Sequence, residues 1–297
     1  MAVKTVQATI NGQVYNLTLN SSTGKYEATI TAPSKSSYNQ SGHYYGVSVK
    51  ATDDAGNVTT KDAADATLGS SLRLQVKEKV APVITITYPT ASAFITNANP
   101  KIAWKVTDDD SGVNPDTIAL TVDGKAVTAA DITKTAVSGG YECSYTPKTA
   151  LGDGEHTITA TASDYDGNAA SAKSVTFTVD TIPPTLNVTS PAEGLVTNQS
   201  SLTVAGTTND VTSKPVTVTV NGESVTVNSD GSWSKTITLT NGNNTITIVA
   251  TDRAGKATTV TRTVKLDTGA PVIKSVTLTP NPVDAGKTFV ISVEVTD

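Results

Sequence analysis

The chain has 297 residues, enough for two or three domains of ordinary size, with 37% hydrophobic and only 5% aromatic residues. A net charge of −5 with acids and bases interspersed leaves no clustered basic surface for nucleic acid. No apolar run approaches the ~20 residues of a membrane-spanning helix, so neither nucleic-acid binding nor membrane insertion is expected. The scarcity of aromatics demands small aliphatic cores. The prominence of Thr, Val and Ser, with no 3.6-residue periodicity, predicts an all-β protein. The lone Cys143 rules out an intrachain disulfide. The opening "MAVKTVQATINGQ" has no apolar signal core and enters a strand pattern at once. Either the protein is not exported by a cleaved signal, or the signal lies outside this stretch.

Residues 1–80 open on the alternating "VKTVQATING", whose Asn11-Gly12 suits a tight hairpin turn. The loop "PSKSSYNQSGHYYG" (33–46) leads into a strand that ends at "KATDDAGN" (50–57), and a long loop (53–71) then precedes "SLRLQVKE". Two further stretches, 81–181 and 182–267, repeat this grammar more completely. With strands lettered A to G in sandwich order, 81–181 should hold A at 83–88, B at 101–107, C at 117–122, E at 141–146, F at 156–163 and G at 173–179. The stretch 182–267 should hold A at 185–189, B at 201–207, C at 215–220, E at 232–239, F at 244–251 and G at 258–266. "TASDYDGN" (161–168) and "VATDRAGK" (249–256) match "KATDDAGN". In each, an Asp carboxylate can accept turn amides and a Gly three residues on can take positive φ. "TIALTVDG" and "VTVTVNG" match the opening strand. Proline joints at "KVAPVITITYP", "DTIPPTLNVTSP" and "DTGAPVIKSVTLTP" mark the module boundaries. Short strands at this spacing predict tandem β-sandwiches of immunoglobulin-like topology.

The stretch "DGSWSKTITLTNGNNTITIVATDRAGK" (230–256) resembles the bacterial immunoglobulin-like (Big-type) repeat modules. In these an Asp-Gly-Ser-Trp turn precedes one strand and Ala-Thr-Asp-x-Ala-Gly-Asn closes another. The resemblance extends over all three repeats and implies the fold. It says little of function, because such modules serve as spacers, adhesins and viral appendages alike. The whole chain also resembles immunoglobulin-like proteins encoded in prophage tail regions of Gram-positive anaerobes. The cysteine pair of antibody domains is absent.

Aligned on the turns, the first repeat starts at strand C and lacks A and B. Residues 268–297 hold an A strand, "VIKSVTLTP", and a B strand, "TFVISVEVTD", then stop where a B–C loop would begin. The two ends are complementary. A sandwich without B leaves an open apolar face and unpaired backbone groups, and a lone A–B ribbon is marginal in water. Strand donation from one copy to the next satisfies both and gives a ring or a filament. The donor residues are Val272, Ile273, Val276, Leu278, Phe289, Ile291, Val293 and Val295. A piece of a longer array is the alternative reading, and closure within one chain would require the proline-jointed modules to fold back.

Acids gather where Asp108, Asp109 and Asp110 (B–C loop) meet Asp164 and Asp166 (F–G turn), a set that could hold Ca²⁺. The plainer reading is turn acids capping backbone amides. The third repeat keeps only Asp210 and Asp252 there. No other cofactor is expected. Tyr38 and Tyr44 are candidate contact residues for a protein or sugar, whereas Tyr45, at the start of strand F, reads as a structural corner. Trp104, Trp233 and Cys143 read as core. No Ser/His/Asp set, metal-ligand spacing or phosphate loop is present, so enzyme activity is not expected.

The sequence thus predicts a non-enzymatic rod of immunoglobulin-like modules that assembles head to tail. Its partners would be itself and other virion or tail proteins, and it would sit in a phage tail or similar extracellular particle. The alternative is a secreted or cell-surface adhesin that binds a host glycan or protein.

Overall fold

A computed structural model describes residues 2–297, nearly all in strands and turns with four short 3-10 segments. The chain gathers into two compact units, residues up to 93 with 97–178, and 94–96 with 179–297. Strand ends are set by local turn chemistry. Asn11-Gly12, Asp123-Gly124 and Asn221-Gly222 all take positive φ, between 47° and 82°, the conformation of a two-residue hairpin matched to strand twist. Each Asp-x-x-Gly turn behaves as the sequence predicts: the Asn57, Asn168 and Lys256 amides donate to the Oδ1 atoms of Asp53, Asp164 and Asp252.

In the middle module one sheet runs Thr133–Val137, Gly140–Tyr145, Ile102–Thr107, Val83–Tyr88, all antiparallel. The facing sheet includes Lys125–Ala126, Val113–Val122, Gly154–Asp164 and Lys173–Val179. Strand B sends Ile102, Trp104 and Val106 inward at the period of two, against Ile118, Leu120, Ile158 and Phe177. The third module repeats the plan with Thr185–Ser190, Ser201–Asn209 and Ser232–Thr238 over a sheet built on Ala257–Leu266 and Gly242–Thr251. Leu195–Thr197 runs parallel to the end of Ala257–Leu266, an edge the sequence pattern did not announce.

The two cores solve one packing problem in opposite ways. Trp104 faces Cys143 across the B–E ladder, and at the equivalent place Gly206 faces Trp233. A large residue on either strand is matched by a small one on the other. A Cβ on Gly206 would stand 2.2 Å from the Asn187 carbonyl oxygen and 2.6 Å from the Trp233 ring. All four residues are interior, as the sequence predicts for Trp104, Trp233 and Cys143. Burial pushes the Cys143 thiol up to about 11, partly offset by Lys134, so it stays protonated at neutral pH.

The described residues of the leading module form a single sheet. Lys25–Glu27, Gln13–Asn20, Val3–Ile10, Tyr45–Asp53 and Val58–Lys61 form one sheet, and Arg73–Leu74 pairs with the start of Tyr45–Asp53. Its buried hydrophobic residues, among those described, are Ala8 and Tyr45. The motif "GKYEAT" (24–29) matches "GGYECS" (139–144), where strand E lies against strand B. Here, with no B strand beside it, the ladder stops at Glu27 and residues 28–32 run unpaired by any strand. One expectation needs correction. The last strand is split, because the chain leaves the sheet after Lys61 and returns at Arg73. Asp65 organises that excursion by accepting the Thr67 and Leu68 amides and the Lys61 ammonium, with its carboxyl held well below the usual range, chiefly by Lys61.

Val272–Thr279 and Val290–Thr296 form a separate two-stranded antiparallel ribbon, every residue of it exposed. Its register copies the A–B pairs of the complete modules: Val272 opposite Thr296 stands for Val83 opposite Thr107 and Thr185 opposite Asn209.

Two outcomes test the packing. Gly206→Ala should destabilise the third module by about 1–3 kcal/mol, as overpacking does, read by calorimetry. The second concerns His156, whose Nδ1 meets Asp123 Oδ2 at 2.8 Å and whose Nε2 meets the Gly152 carbonyl at 2.7 Å. Two acceptors call for two N–H groups, so the geometry favours the imidazolium. Burial alone would lower the pKa, but the Gly152 carbonyl and the Asp123 carboxylate outweigh it and raise it above 6.5. A raised folded-state pKa contributes stability in full below the unfolded value and loses it as pH climbs through the folded one. Unfolding midpoints should therefore fall as pH rises above 6.5, and His156→Gln should flatten that slope.

Candidate functional site: carboxylate trios

In the first compact unit a carboxylate oxygen from each of Glu78, Asp108 and Asp164 lies within 4.8 Å of the other two. Each comes from a different element: the linker before strand A, the end of strand B, and the F–G turn. Backbone amides fix their orientations. Asp108 Oδ1 accepts from Asp110 N at 3.0 Å and Gly112 N at 2.7 Å, and Glu78 Oε1 from Ser111 N at 2.6 Å. Asp164 takes both the amide and the side-chain Nδ2 of Asn168, each at 2.7 Å. The buried Ser111 Oγ beside them has no hydrogen-bond partner.

The second unit holds the same arrangement in Asp180, Asp210 and Asp252, all buried and again within 4.8 Å. Asp210 Oδ1 accepts the Thr212 and Ser213 amides at 2.7 Å each, and Ser213 Oγ donates to Asp180 Oδ2. Asp252 Oδ1 accepts Lys256 N at 2.9 Å, while its Oδ2 is buried with no partner. The cause is visible in sequence. Lys256 occupies the place of Asn57 and Asn168, so the amide donor that serves the second oxygen in the other turns is missing. None of the salt bridges among the described residues reaches either trio.

Of the acids singled out from sequence, Asp108 and Asp164 converge, and Asp109, Asp110 and Asp166 do not. Asp109 is exposed. Asp110 grips the 33–46 loop through Ser36 N (3.0 Å) and Asn39 Nδ2 (3.0 Å), and Asp166 Oδ2 accepts Glu78 N at 3.0 Å. These carboxylates fasten the leading module to the middle one within the first unit. Glu78 and Asp180 escaped notice because they sit in linkers, outside the turn clusters, and Asp180 corrects the view that the third repeat keeps only two acids. A signal was present: Glu78–Asp108 and Asp180–Asp210 share a separation of 30 residues.

Tyr38 sits at the joint of the first unit. Its ring is stacked between His43 (4.0 Å) and Tyr165 (4.2 Å), so both faces are occupied and it is a joint residue of the first unit. Tyr44 is half-buried beneath the Arg73 guanidinium at 4.8 Å. Tyr45 is buried and its hydroxyl donates to the Lys35 carbonyl at 3.1 Å, the corner expected. A polar groove in the third module, lined by residues such as Asn187, Thr207, Ser224 and Asn228, brings no histidine or cysteine to its walls.

The sheets, turns and repeated joints define tandem immunoglobulin-like modules. Residues 82–160 match the family model described as bacterial Ig domain, and residues 184–268 match glucodextranase, domain B. The middle module is thus similar to bacterial Ig domains, and the chain as a whole has the tandem Ig-like fold. It is 38% identical over 141 residues, 48% of its length, to bacillopeptidase F of Bacillus subtilis. It is 28% identical over 204 residues, 63% of its length, to chitinase ChiA of Flavobacterium johnsoniae. The matched stretches make up 9% and 12% of those two proteins. A titin I-band fragment of solved structure is 12% identical, with 89% of this chain and 88% of the fragment covered at a TM-score of 0.43.

Proposed function

We propose that the chain is an extracellular, non-catalytic structural element whose ribbon, residues 272–296, docks onto the leading half-module of a second copy and supplies its A and B strands. One observation carries this reading. Ile84, Ile102, Trp104 and Val106 are 0–7% exposed in the middle module, and their counterparts Ile273, Ile291, Val293 and Val295 are 49–64% exposed in the ribbon. The partner surface matches. Among the described residues the leading module holds no A or B strand, its E segment has no ladder beyond Glu27, and on the face that carries Ala8 Leu19 is exposed while Val6, Leu17, Val47 and Val49 are only half-buried.

Docking by strand addition would pair the free backbone groups of residues 28–32 and bury four or five aliphatic side chains, about 6–15 kcal/mol gross before ordering costs. The contact is heterologous, so copies would join head to tail. The bacterial peptidase and chitinase relatives favour a secreted or cell-surface setting over a virion. Those relatives also support a second reading, a spacer inside a longer extracellular protein, because the matching stretch is a small share of each.

Mass photometry of the purified chain should show a concentration-dependent ladder or ring, and Val293→Asp should leave folded monomers. Unchanged assembly in that variant would sink the docking reading. Register gives a finer check. Lys105 faces Glu142 in the middle module, and the corresponding residues are Glu294 and Glu27, a like-charged pair. Glu294→Lys should tighten assembly by about 0.2–1 kcal/mol, the range for a cross-strand pair. A chain that stays monomeric, yet has its ribbon protected from exchange once the downstream gene sequence is added, would favour the spacer.

A further inference from the structure

We propose that the two carboxylate trios are binding sites for a hard divalent cation of Ca²⁺ size, and that a third such site is divided between the ribbon and the leading module. The first two sites stand on the folded chain alone. The third rests on the docking reading.

Three carboxylates within 4.8 Å repel one another, all three buried in the second unit and two of the three in the first, and none of the salt bridges among the described residues pairs a basic side chain with them. Backbone amides satisfy one oxygen of each acid, which orients the trio without neutralising it. A buried acceptor left unsatisfied is costly, and Asp252, 6% exposed, keeps Oδ2 without any partner beside Asp180 and Asp210. A cation among the three would supply the missing partner for that oxygen and cancel the repulsion. In the first unit the unpartnered Ser111 Oγ stands next to Glu78 in the position that Ser213 occupies beside Asp180. Carboxylates with a serine hydroxyl are hard oxygen donors. Their number, completed by water, suits the six to eight ligands of Ca²⁺ better than the tight octahedron of Mg²⁺ or the nitrogen and sulfur preference of Zn²⁺.

The same three places exist a third time, on separate elements. Asp267 and Asp297 repeat the 30-residue separation of Glu78–Asp108 and Asp180–Asp210. Asp267 Oδ1 accepts Gly269 N at 3.1 Å, as Asp180 Oδ1 accepts Ile182 N at 3.3 Å. Asp297 follows Thr296 opposite Val272, as Asp108 follows Thr107 opposite Val83. The remaining ligand position, the F–G turn acid, is Asp53 of the leading module. Its two oxygens accept Asn57 N at 2.9 Å and Asn57 Nδ2 at 2.8 Å, the hydrogen bonds of Asp164 with Asn168. Docking of the ribbon would bring Asp267 and Asp297 of one copy to Asp53 of the next, so cation binding and assembly would strengthen each other.

The experiment is calorimetric titration of the chelator-treated full chain with CaCl₂, with MgCl₂ as control and mass photometry in parallel. The Val293→Asp chain should bind two Ca²⁺ and melt at a higher temperature with them. Asp252→Asn in that background should bind one. Should Asp252→Asn fail to fold, the parent titration still decides: no Ca²⁺ bound at millimolar concentration overturns the resident sites. Assembled wild-type chain should bind three per copy, returning to two in Asp53→Asn, with assembly in that variant requiring more protein. Assembly with two ions per copy overturns the divided site and leaves docking intact. A wild-type chain that binds two ions and never assembles ends docking and the divided site together, and leaves the resident sites standing.

Discussion

The ladder between strands B and E is the constraint on which each sandwich depends. Strand B is paired on both sides, by A and by E, and it sends its inward residues to the centre of the core. Where B is present, E is six or seven residues long and the core closes over Trp104 or Trp233. In the leading module E shrinks to three residues, and the alternating side chains Val6, Leu17, Tyr26, Val47 and Val49 are only half-buried. Backbone hydrogen-bonding groups and apolar side chains are thus left open together, because one strand serves both.

The joints show how a repeat reuses its turns. A linker acid, a strand-end acid and a turn acid converge wherever the chain passes into a complete module. Each is held by amides that its own loop provides, so the geometry is built locally and brought together by the sheets. Asp110 and Tyr38 add a further layer in the first unit, tying the long 33–46 loop of the leading module to the B–C and F–G loops of the middle one, while Asp166 holds the linker through the Glu78 amide. Length in that loop has a structural use. It reaches the neighbouring module, and its tyrosine is spent on a stack.

Strand positions were legible because their causes are local. Alternation such as Ile102-Trp104-Val106, and Asn-Gly or Asp-x-x-Gly turns that demand positive φ, act within a few residues of each other. The excursion after Lys61 was not legible, since Asp65 competes for amides only once the chain has left the sheet. Nor could composition say that Asp110 would hold a loop 71 residues away while Asp108, two positions earlier, turned inward. Glu78 and Asp180 look like ordinary linker acids until the fold places them beside their partners.

By itself the sequence determined the class of architecture, the phase of every repeat and the identity of the core aromatics, because period-two burial and turn stereochemistry are properties of short segments. Only the tertiary structure decided which carboxylates share a site, which tyrosine faces are free and which apolar strands stay uncovered. Those outcomes depend on distances between residues from 30 to more than 100 positions apart, such as Asp180 and Asp210 or Tyr38 and Tyr165, and such distances exist only after the sheets have packed.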